Sequence, residues 1–193
     1  MLTLFHAPRS RSTRFIWLLE ELGAPYEIRK VDIARQSGEG RRDPANPHPH
    51  GQVPALVDDG VLVTESAAIA LYLTDRFREH VLGPAVGDPD RGPYLTWLAY
   101  YAGVLEPVIG AFFRGAMDDA SRTAYEILDA QLAGALRKGP WLLGDRFSAA
   151  DILFISLLQF ARQALPAHAE YDDWLSRAQA RPAFARAMEK DDA

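Results

Sequence analysis

Cysteine is absent from this sequence: none occurs among its 193 residues. Without cysteine the chain forms no disulfides and no zinc–thiolate sites, and it carries no thiol nucleophile of its own. It therefore cannot perform thiol–disulfide exchange with its own side chains.

Two other features are also missing, an excess of positive charge and a long apolar run. The net charge of −5 gives no electrostatic reason to expect nucleic acid as a partner. No uninterrupted apolar run reaches the length of a membrane span, and the apolar start of the chain ends at His6 and Pro8, too early for a signal peptide. Because 48% of the residues are hydrophobic and 24% are charged, the composition predicts a folded, soluble, cytoplasmic protein of one large or two small domains.

The stretch 51–73 contains the clearest local pattern, a hairpin followed by a helix. Two short apolar runs, 55–57 and 61–63, flank the turn signal Asp58-Asp59-Gly60. Thr64 is a candidate cap for the helix that follows, and Glu65 would lie at the positive end of its dipole.

Pro54 stands at the start of the first hairpin strand, where it cannot donate to a sheet. An X-Pro bond is also the one peptide bond for which the cis form is common. We therefore predict a cis Val53–Pro54 bond, which would leave the backbone N–H and C=O of Val53 free to pair with an extended peptide.

The chain before the hairpin predicts a βαβ unit. Residues 2–6 and 25–31 have strand patterns, and an apolar helix between them ends at Gly23, so the two strands should be parallel. The irregular connection 34–50 contains His48 and His50, which have no acidic or thiol partner nearby and make a weak case for a metal site. We expect no metal.

The second half of the chain has only helical patterns. Glycine and proline accumulate at 81–90, which is the best candidate for a linker between domains. Further on, Ser148 and Asp151 have the spacing of a capping box in front of an apolar helix that should lie in the centre of a bundle. The predicted fold is α/β followed by all-α.

Two motifs resemble the glutathione site of the cytosolic glutathione transferase family. They are Val-Pro-Ala-Leu at 53–56 and Thr-Glu-Ser-Ala-Ala-Ile at 64–69, and the capped helix after Ser148 resembles a feature of the family's C-terminal domain. The resemblance, to bacterial-type members, implies a thioredoxin-like domain at 1–80, a linker at 81–90 and a helical domain at 91–193. It also implies glutathione as co-substrate, no cofactor, and a homodimer in which the helix 65–80 packs on the long helices of the other copy.

The resemblance assigns glutathione binding to five residues: Gln52, Val53, Pro54, Glu65 and Ser66. Glu65 would meet the ammonium of the γ-glutamyl group, and the Ser66 hydroxyl with the helix N–H groups would meet its carboxylate. Gln52 departs from the lysine that several classes carry at this position. A histidine or arginine of the 34–50 connection could pair with the glycine carboxylate.

The family's activating hydroxyl lies just after the first strand, where this chain offers Ser10 and Ser12. Aligning Arg14 and the residues after it with the family's first helix puts Ser10 at the catalytic serine position of theta-like classes, with Ser12 as the alternative. His6 occupies the place of the tyrosine in tyrosine-type classes. Either serine could instead only cap the helix. A hydroxyl cannot serve as the base; it would donate a hydrogen bond to the glutathione thiolate.

The electrophile should bind against the first long helix of the second half, where the predicted pocket residues are Tyr100, Tyr101, Val104 and Phe112. The same residues are also typical of a plain core. Glu106 and Pro107 stand where beta-class relatives carry a histidine–lysine pair, which argues against beta-type chemistry.

The resemblance implies conjugation of glutathione to small hydrophobic electrophiles, with organic hydroperoxides as substrates of a side activity. The alternatives are a glutathione-dependent isomerase or dehalogenase, and a non-catalytic binding or regulatory protein.

Overall fold

The computed structural model describes residues 1–35 and 37–192, without the side chain of His80. The chain forms two compact units. The first contains Met1–His80 together with the stretch from Arg181 onward, and the second is Val81–Ala180.

A four-stranded sheet forms the centre of the first unit. Its strands are β1 (Leu2–His6), β2 (Tyr26–Lys30), β3 (Ala55–Asp58) and β4 (Val61–Thr64), in the spatial order β2-β1-β3-β4. β1 is parallel to β2 and antiparallel to β3, and β3 is antiparallel to β4. This topology confirms the predicted thioredoxin-like arrangement, including the hairpin at Asp58–Gly60.

Eight α-helices complete the described part of the chain. They are α1 (Thr13–Glu21), α2 (Ser66–Arg76), α3 (Arg91–Tyr100), α4 (Glu106–Phe113), α5 (Asp119–Leu136), α6 (Ala149–Ala161), α7 (Ala169–Gln179) and α8 (Pro182–Asp192). α1, α2 and α8 belong to the first unit, and α3 to α7 to the second. Short 3₁₀ turns at 78–80 and 162–164 follow α2 and α6.

The last helix, α8, packs on α1 in the first unit, although it lies within the range 91–193 that the resemblance implies for the helical domain. Glu21 of α1 accepts two hydrogen bonds from the guanidinium of Arg181, at 2.6 and 2.8 Å. The ring of Phe184 meets Trp17 edge-on, with centroids 5.1 Å apart. A bidentate carboxylate–guanidinium pair beside an aromatic contact fixes the orientation of α8.

In the second unit, α3 and α4 form one continuous helical stretch through a π-helical segment, Tyr101–Leu105. Pro107, two residues after this segment, lacks the N–H that a regular helix would use, so the hydrogen-bond pattern changes here. By length and composition alone the stretch 91–113 could cross a membrane. A helix in the core of a soluble bundle meets the same test, and this stretch contacts α5 and α6.

A buried carboxylate organises the start of α6, as the capping-box spacing predicted. Asp151 accepts from the backbone N–H groups of Ser148 and Leu142, each at 2.9 Å, and from Nε1 of Trp174 at 3.1 Å. Burial raises the pKa of Asp151 to about 6, although the hydrogen bonds from these donors lower it. At pH 7 the carboxylate is charged, and its stability in the interior depends on the donors.

We expect Asp151→Ala to lower the free energy of unfolding by about 3–5 kcal/mol, because three buried N–H donors lose their acceptor. Urea denaturation at pH 7 measures this loss. Asp173→Ala, at an exposed position of α7, serves as the control and should change stability by less than about 0.5 kcal/mol. If both variants unfolded at the same urea concentration, the buried Asp151 carboxylate would not stabilise the fold as expected.

Candidate active site

Three chain segments meet at one edge of the sheet because of the strand register. β1 ends at His6, and its residue Phe5 pairs with Ala55 at the start of β3. Ala55 also pairs with Thr64 at the end of β4. The residues that follow β1, precede β3 and follow β4 therefore share this edge, and they include all the residues predicted to hold glutathione or activate its thiol.

The segment 7–12, the serine turn, connects β1 to α1 and carries both candidate serines. Ser10 Oγ donates to the carbonyl oxygen of Ala7 at 2.6 Å and accepts from the backbone N–H of Ser12 at 3.2 Å. The two serine oxygens are 2.8 Å apart. Ser10 is half-buried and Ser12 is fully buried, so only Ser10 is partly open to solvent.

The side chain of Ser12 does not cap α1. Ser12 occupies the N-cap position without a side-chain capping hydrogen bond. Its Oγ instead lies 2.8 Å from Nδ1 of His6 and accepts from the N–H of Ala7 at 3.2 Å. The hydroxyl is therefore used to connect the serine turn to the end of β1.

His6 is fully buried, and its second ring nitrogen faces a carboxylate. Nε2 is 3.4 Å from Oδ1 of Asp191, although this oxygen is not well aligned for a hydrogen bond, and Nε2 has no other partner in the described part of the chain. Burial lowers the pKa of His6, the charge of Lys30 acts in the same direction, and Asp191 opposes both. The imidazole is consequently neutral at pH 7.

Side chains from two distant parts of the chain hold the serine turn in place. Asp191 accepts from the backbone N–H of Arg9 at 3.0 Å and from Oγ1 of Thr13 at 2.5 Å. Arg35 Nη2 donates to the carbonyl oxygen of Pro8 at 2.8 Å. Arg9 has a φ of 52°, a left-handed conformation that is unfavourable for a non-glycine residue and needs such support.

The Val53–Pro54 bond is cis, as the sequence predicted. Both residues are buried, and Val53 packs with Phe5 and Ala55. Gln52 is exposed, and its carbonyl oxygen accepts from Nδ2 of the buried Asn46 at 2.9 Å. This hydrogen bond fixes the loop that leads into the cis bond.

Glu65 and Ser66 stand at the start of α2. The sequence predicted Thr64 as the cap of this helix, and that prediction is wrong. Thr64 ends β4 and Glu65 takes the N-cap position, with φ 68° and ψ 125°. The chain turns from β4 into α2 at this single residue, which explains the unusual backbone. Glu65 is exposed and Ser66 half-buried, beside the first N–H groups of α2, which have no acceptor within the helix.

The connection before β3 offers histidines and an arginine near the same edge. His48 is buried, and its Nδ1 accepts from the backbone N–H of His50 at 3.1 Å. Burial lowers the pKa of His48, an effect that Glu65 opposes. Arg42 is exposed and donates to the carbonyl oxygen of Pro49 at 2.9 Å. Among the described residues, no group of histidines and carboxylates is arranged to hold a metal ion.

The four residues predicted to line the electrophile pocket lie in the second unit in different surroundings. Tyr101 is fully buried, and its hydroxyl donates to Glu106 at 2.6 Å. Val104 is half-buried in the π-helical segment, and Phe112 is 39% exposed. Tyr100 lines a cavity of about 390 Å³; the other lining residues are Gly92, Pro93, Thr96, Trp97 and Gln131.

Sequence reasoning did not identify His6, Asp191, Thr13 or Arg35 as parts of the serine-turn network. In the sequence, His6 is distinguished only by its place where tyrosine-type classes carry a tyrosine. Asp191 lies 182 positions from Arg9, whose N–H it accepts, and no local pattern in the sequence connects the two.

Comparison with known families gives a match in each half of the chain. Residues 1–75 match the family described as glutathione S-transferase, N-terminal domain, and residues 114–190 match glutathione S-transferase, C-terminal domain. Glutathione S-transferase GstA of Escherichia coli O157:H7 is 32% identical over 82% of this chain and 81% of its own. Disulfide-bond oxidoreductase YfcG of Escherichia coli K12 is 29% identical over 98% of this chain and 95% of its own.

Solved structures agree with these matches. A glutathione transferase from Methylococcus capsulatus superposes with a TM-score of 0.80 and 31% identity, covering 100% of this chain and 99% of its own. A ternary complex of BphK, a bacterial transferase, superposes with a TM-score of 0.83 and 28% identity, covering 99% of this chain and 100% of its own. A sphingomonad glutathione S-transferase complexed with glutathione superposes with a TM-score of 0.80 and 28% identity, covering 98% of each chain. With both halves matched and the fold shared, the chain belongs to the glutathione S-transferase family and is a glutathione transferase of the bacterial cytosolic type.

Proposed function

We propose that the protein conjugates the thiol of glutathione to small hydrophobic electrophiles, with glutathione lying along the sheet edge described above. The strand register carries this proposal, because it brings the serine turn, Val53–Pro54 and Glu65–Ser66 to one edge. The glutathione complex of the sphingomonad transferase supports glutathione as the thiol substrate.

Recognition of glutathione combines charges with backbone groups. The exposed carboxylate of Glu65 pairs with the γ-glutamyl ammonium, and the Ser66 hydroxyl with the first N–H groups of α2 binds the γ-glutamyl carboxylate. The backbone of Val53 pairs with the cysteinyl part in the manner of an added strand. Gln52 or a cation of the 34–50 connection meets the glycine end.

Activation of the thiol is assigned to Ser10. A cysteine-type thiol ordinarily titrates near 8.5, so a site that favours the thiolate increases the reactive fraction at neutral pH. Ser10 is half-buried and able to reach a ligand, whereas Ser12 is fully buried. To donate to the sulfur, the Ser10 hydroxyl turns its proton away from the carbonyl oxygen of Ala7.

The electrophile is assigned to the aromatic part of the second unit. Tyr100, Val104 and Phe112 are at least partly exposed, and flat apolar molecules suit such surfaces. Tyr101 supports them from the core through its bond to Glu106.

Ser10→Ala should raise the thiol pKa of bound glutathione by about one unit, because a charge-assisted hydrogen bond is lost and water replaces it only in part. Conjugation at pH 7 should fall roughly tenfold and recover as the pH is raised. The pH–rate profile with 1-chloro-2,4-dinitrobenzene and saturating glutathione measures both effects. Affinity for glutathione should hardly change, since Glu65, Ser66 and Val53 remain.

Ser12→Ala is the matched comparison: if donation from the Ser10 hydroxyl alone stabilises the thiolate, this variant should shift the profile much less. A shift in Ser12→Ala alone would move the activating role to Ser12. If the wild-type protein binds glutathione but conjugates no electrophile of a broad panel, the non-catalytic binding protein becomes the better description.

A second candidate function is reduction of disulfides with glutathione, favoured by the similarity to disulfide-bond oxidoreductase YfcG over nearly the whole chain. The lack of cysteine does not prevent it, because glutathione can supply both thiols. One thiolate attacks a substrate disulfide, forming a mixed disulfide and releasing one thiol. A second glutathione attacks the mixed disulfide, so two glutathione molecules become oxidised glutathione and the substrate gains two thiols.

Hydroxyethyl disulfide distinguishes the two functions. With glutathione, glutathione reductase and NADPH, a disulfide reductase should consume NADPH well above the uncatalysed rate, and Ser10→Ala should lower that rate at pH 7 for the reason given above. A rate equal to the background, alongside measurable conjugation of 1-chloro-2,4-dinitrobenzene, would leave conjugation as the function. Cumene hydroperoxide in the same coupled assay tests for the peroxidase side activity.

We also predict a cytoplasmic homodimer, in which residues 65–80 of one copy pack against the long helices of the other. Apolar side chains exposed at Val61 (60%) and Leu62 (40%) on β4 and at Leu95 (38%) on α3 support association. Sedimentation at micromolar concentration should give a species of twice the 21.4 kDa chain mass. A monomer alone would contradict this prediction.

A further inference from the structure

A chain of polar groups leads from Ser10 into the interior of the first unit. The Ser10 and Ser12 oxygens are 2.8 Å apart, Ser12 Oγ is 2.8 Å from His6 Nδ1, and His6 Nε2 is 3.4 Å from Asp191. Ser10 alone is partly open to solvent; Ser12 and His6 are fully buried and Asp191 is 5% exposed. Conjugation as described above makes no use of His6 or Asp191.

We propose that His6 accepts the thiol proton of bound glutathione through Ser12 and Ser10, with Asp191 stabilising the imidazolium. The inference rests on the proposed binding of glutathione beside Ser10. The thiol proton passes to Ser10 Oγ, the Ser10 proton to Ser12 Oγ, and the Ser12 proton to His6 Nδ1. One S–H bond is broken and one N–H bond is formed, both serines end neutral, and no electron is transferred.

The position of Asp191 sets the starting tautomer of the imidazole. A neutral imidazole has one N–H, and a carboxylate beside Nε2 favours the proton on that nitrogen. Nδ1 then presents its lone pair to the Ser12 hydroxyl, while the N–H of Ala7 donates to Ser12 Oγ. Before transfer, the hydroxyl protons can therefore point inward along the chain of groups.

After transfer the direction of the chain is reversed. The imidazolium donates from Nδ1 to Ser12 and from Nε2 toward Asp191, Ser12 donates to Ser10, and Ser10 donates to the thiolate. The same event that removes the thiol proton thus orients Ser10 toward the sulfur. This resolves the competition for the Ser10 proton, which the carbonyl oxygen of Ala7 accepts in the free protein.

Charges around His6 make the imidazolium and the thiolate depend on each other. Burial and Lys30 of β2 lower the pKa of His6, and Asp191 of α8 raises it. Transfer from a thiol that titrates near 8.5 to such a histidine is unfavourable by about a hundredfold or more, unless the thiolate and the imidazolium stabilise each other. Because coupling is reciprocal, the thiolate must raise the pKa of His6 as much as the imidazolium lowers that of the thiol.

The test follows the ring protons of His6 by NMR over pH 4–10 with two ligands. S-methylglutathione makes the same peptide contacts as glutathione but cannot form a thiolate. Glutathione should raise the pKa of His6 by about one unit relative to S-methylglutathione. His6→Gln assigns the signal among the five histidines.

The reciprocal measurement is the thiolate absorbance at 240 nm of glutathione bound to His6→Gln. Its thiol pKa should rise by about one unit, with the affinity for S-methylglutathione unchanged. His168→Gln is the matched control, because His168 also pairs with an aspartate, Asp129, at 3.0 Å, but in the second unit; it should leave the thiol pKa unchanged.

Asp191→Asn gives a second variant and should lower the pKa of His6 while raising that of the thiol. The proposed proton transfer from the thiol to His6, the relay, is overturned if glutathione binds and reacts but His6 has the same pKa with both ligands. Apart from His6→Gln, which assigns the NMR signal, this test needs no variant. It is also overturned if folded His6→Gln retains the wild-type thiol pKa. If neither ligand binds, the proposed function fails and the relay fails with it.

Discussion

The antiparallel pairing of β1 with β3 is the constraint on which the candidate site depends. β1 lies inside the sheet with neighbours on both sides, and Leu4 and Phe5 on it are buried. Leu4 and Phe5 are successive residues and therefore lie on opposite faces of the sheet. A shift of register by one residue would move each side chain into the packing that fits the other, so the core fixes the register. With this register, the start of β3 lies beside the ends of β1 and β4. The candidate site is accordingly built from turns and the start of a helix, whose first N–H groups have no acceptor within the helix.

Several features that the sequence predicted correctly depend on patterns within a few residues, whereas the parallel pairing of β1 with β2 follows from the strand–helix–strand order. The cis bond follows from Val53–Pro54, the hairpin from Asp58-Asp59-Gly60, and the start of α6 from Ser148 and Asp151. Each depends on local backbone chemistry, which short patterns record. The cap at Thr64 was wrong because the turn into α2 uses Glu65 in a backbone conformation that no propensity favours.

The network around the serine turn could not be predicted, because its contacts join distant parts of the sequence. Asp191 and Asp151 illustrate the difference. Both are buried carboxylates that accept several hydrogen bonds, and both exploit the strength of bonds to a charged acceptor. Asp151 bonds to Ser148 three residues away, which gives a recognisable motif, whereas Asp191 reaches back to the other end of the chain.

The docking of α8 on α1 also has a consequence for biogenesis. The first unit is discontinuous, since the whole second unit is inserted between His80 and Arg181. A ribosome must therefore synthesise about a hundred further residues before the segment carrying Asp191 can close the network at Arg9. Such contacts of long sequence separation are costly in chain entropy and form late. The serine turn should accordingly reach its final geometry only after the second unit has been synthesised.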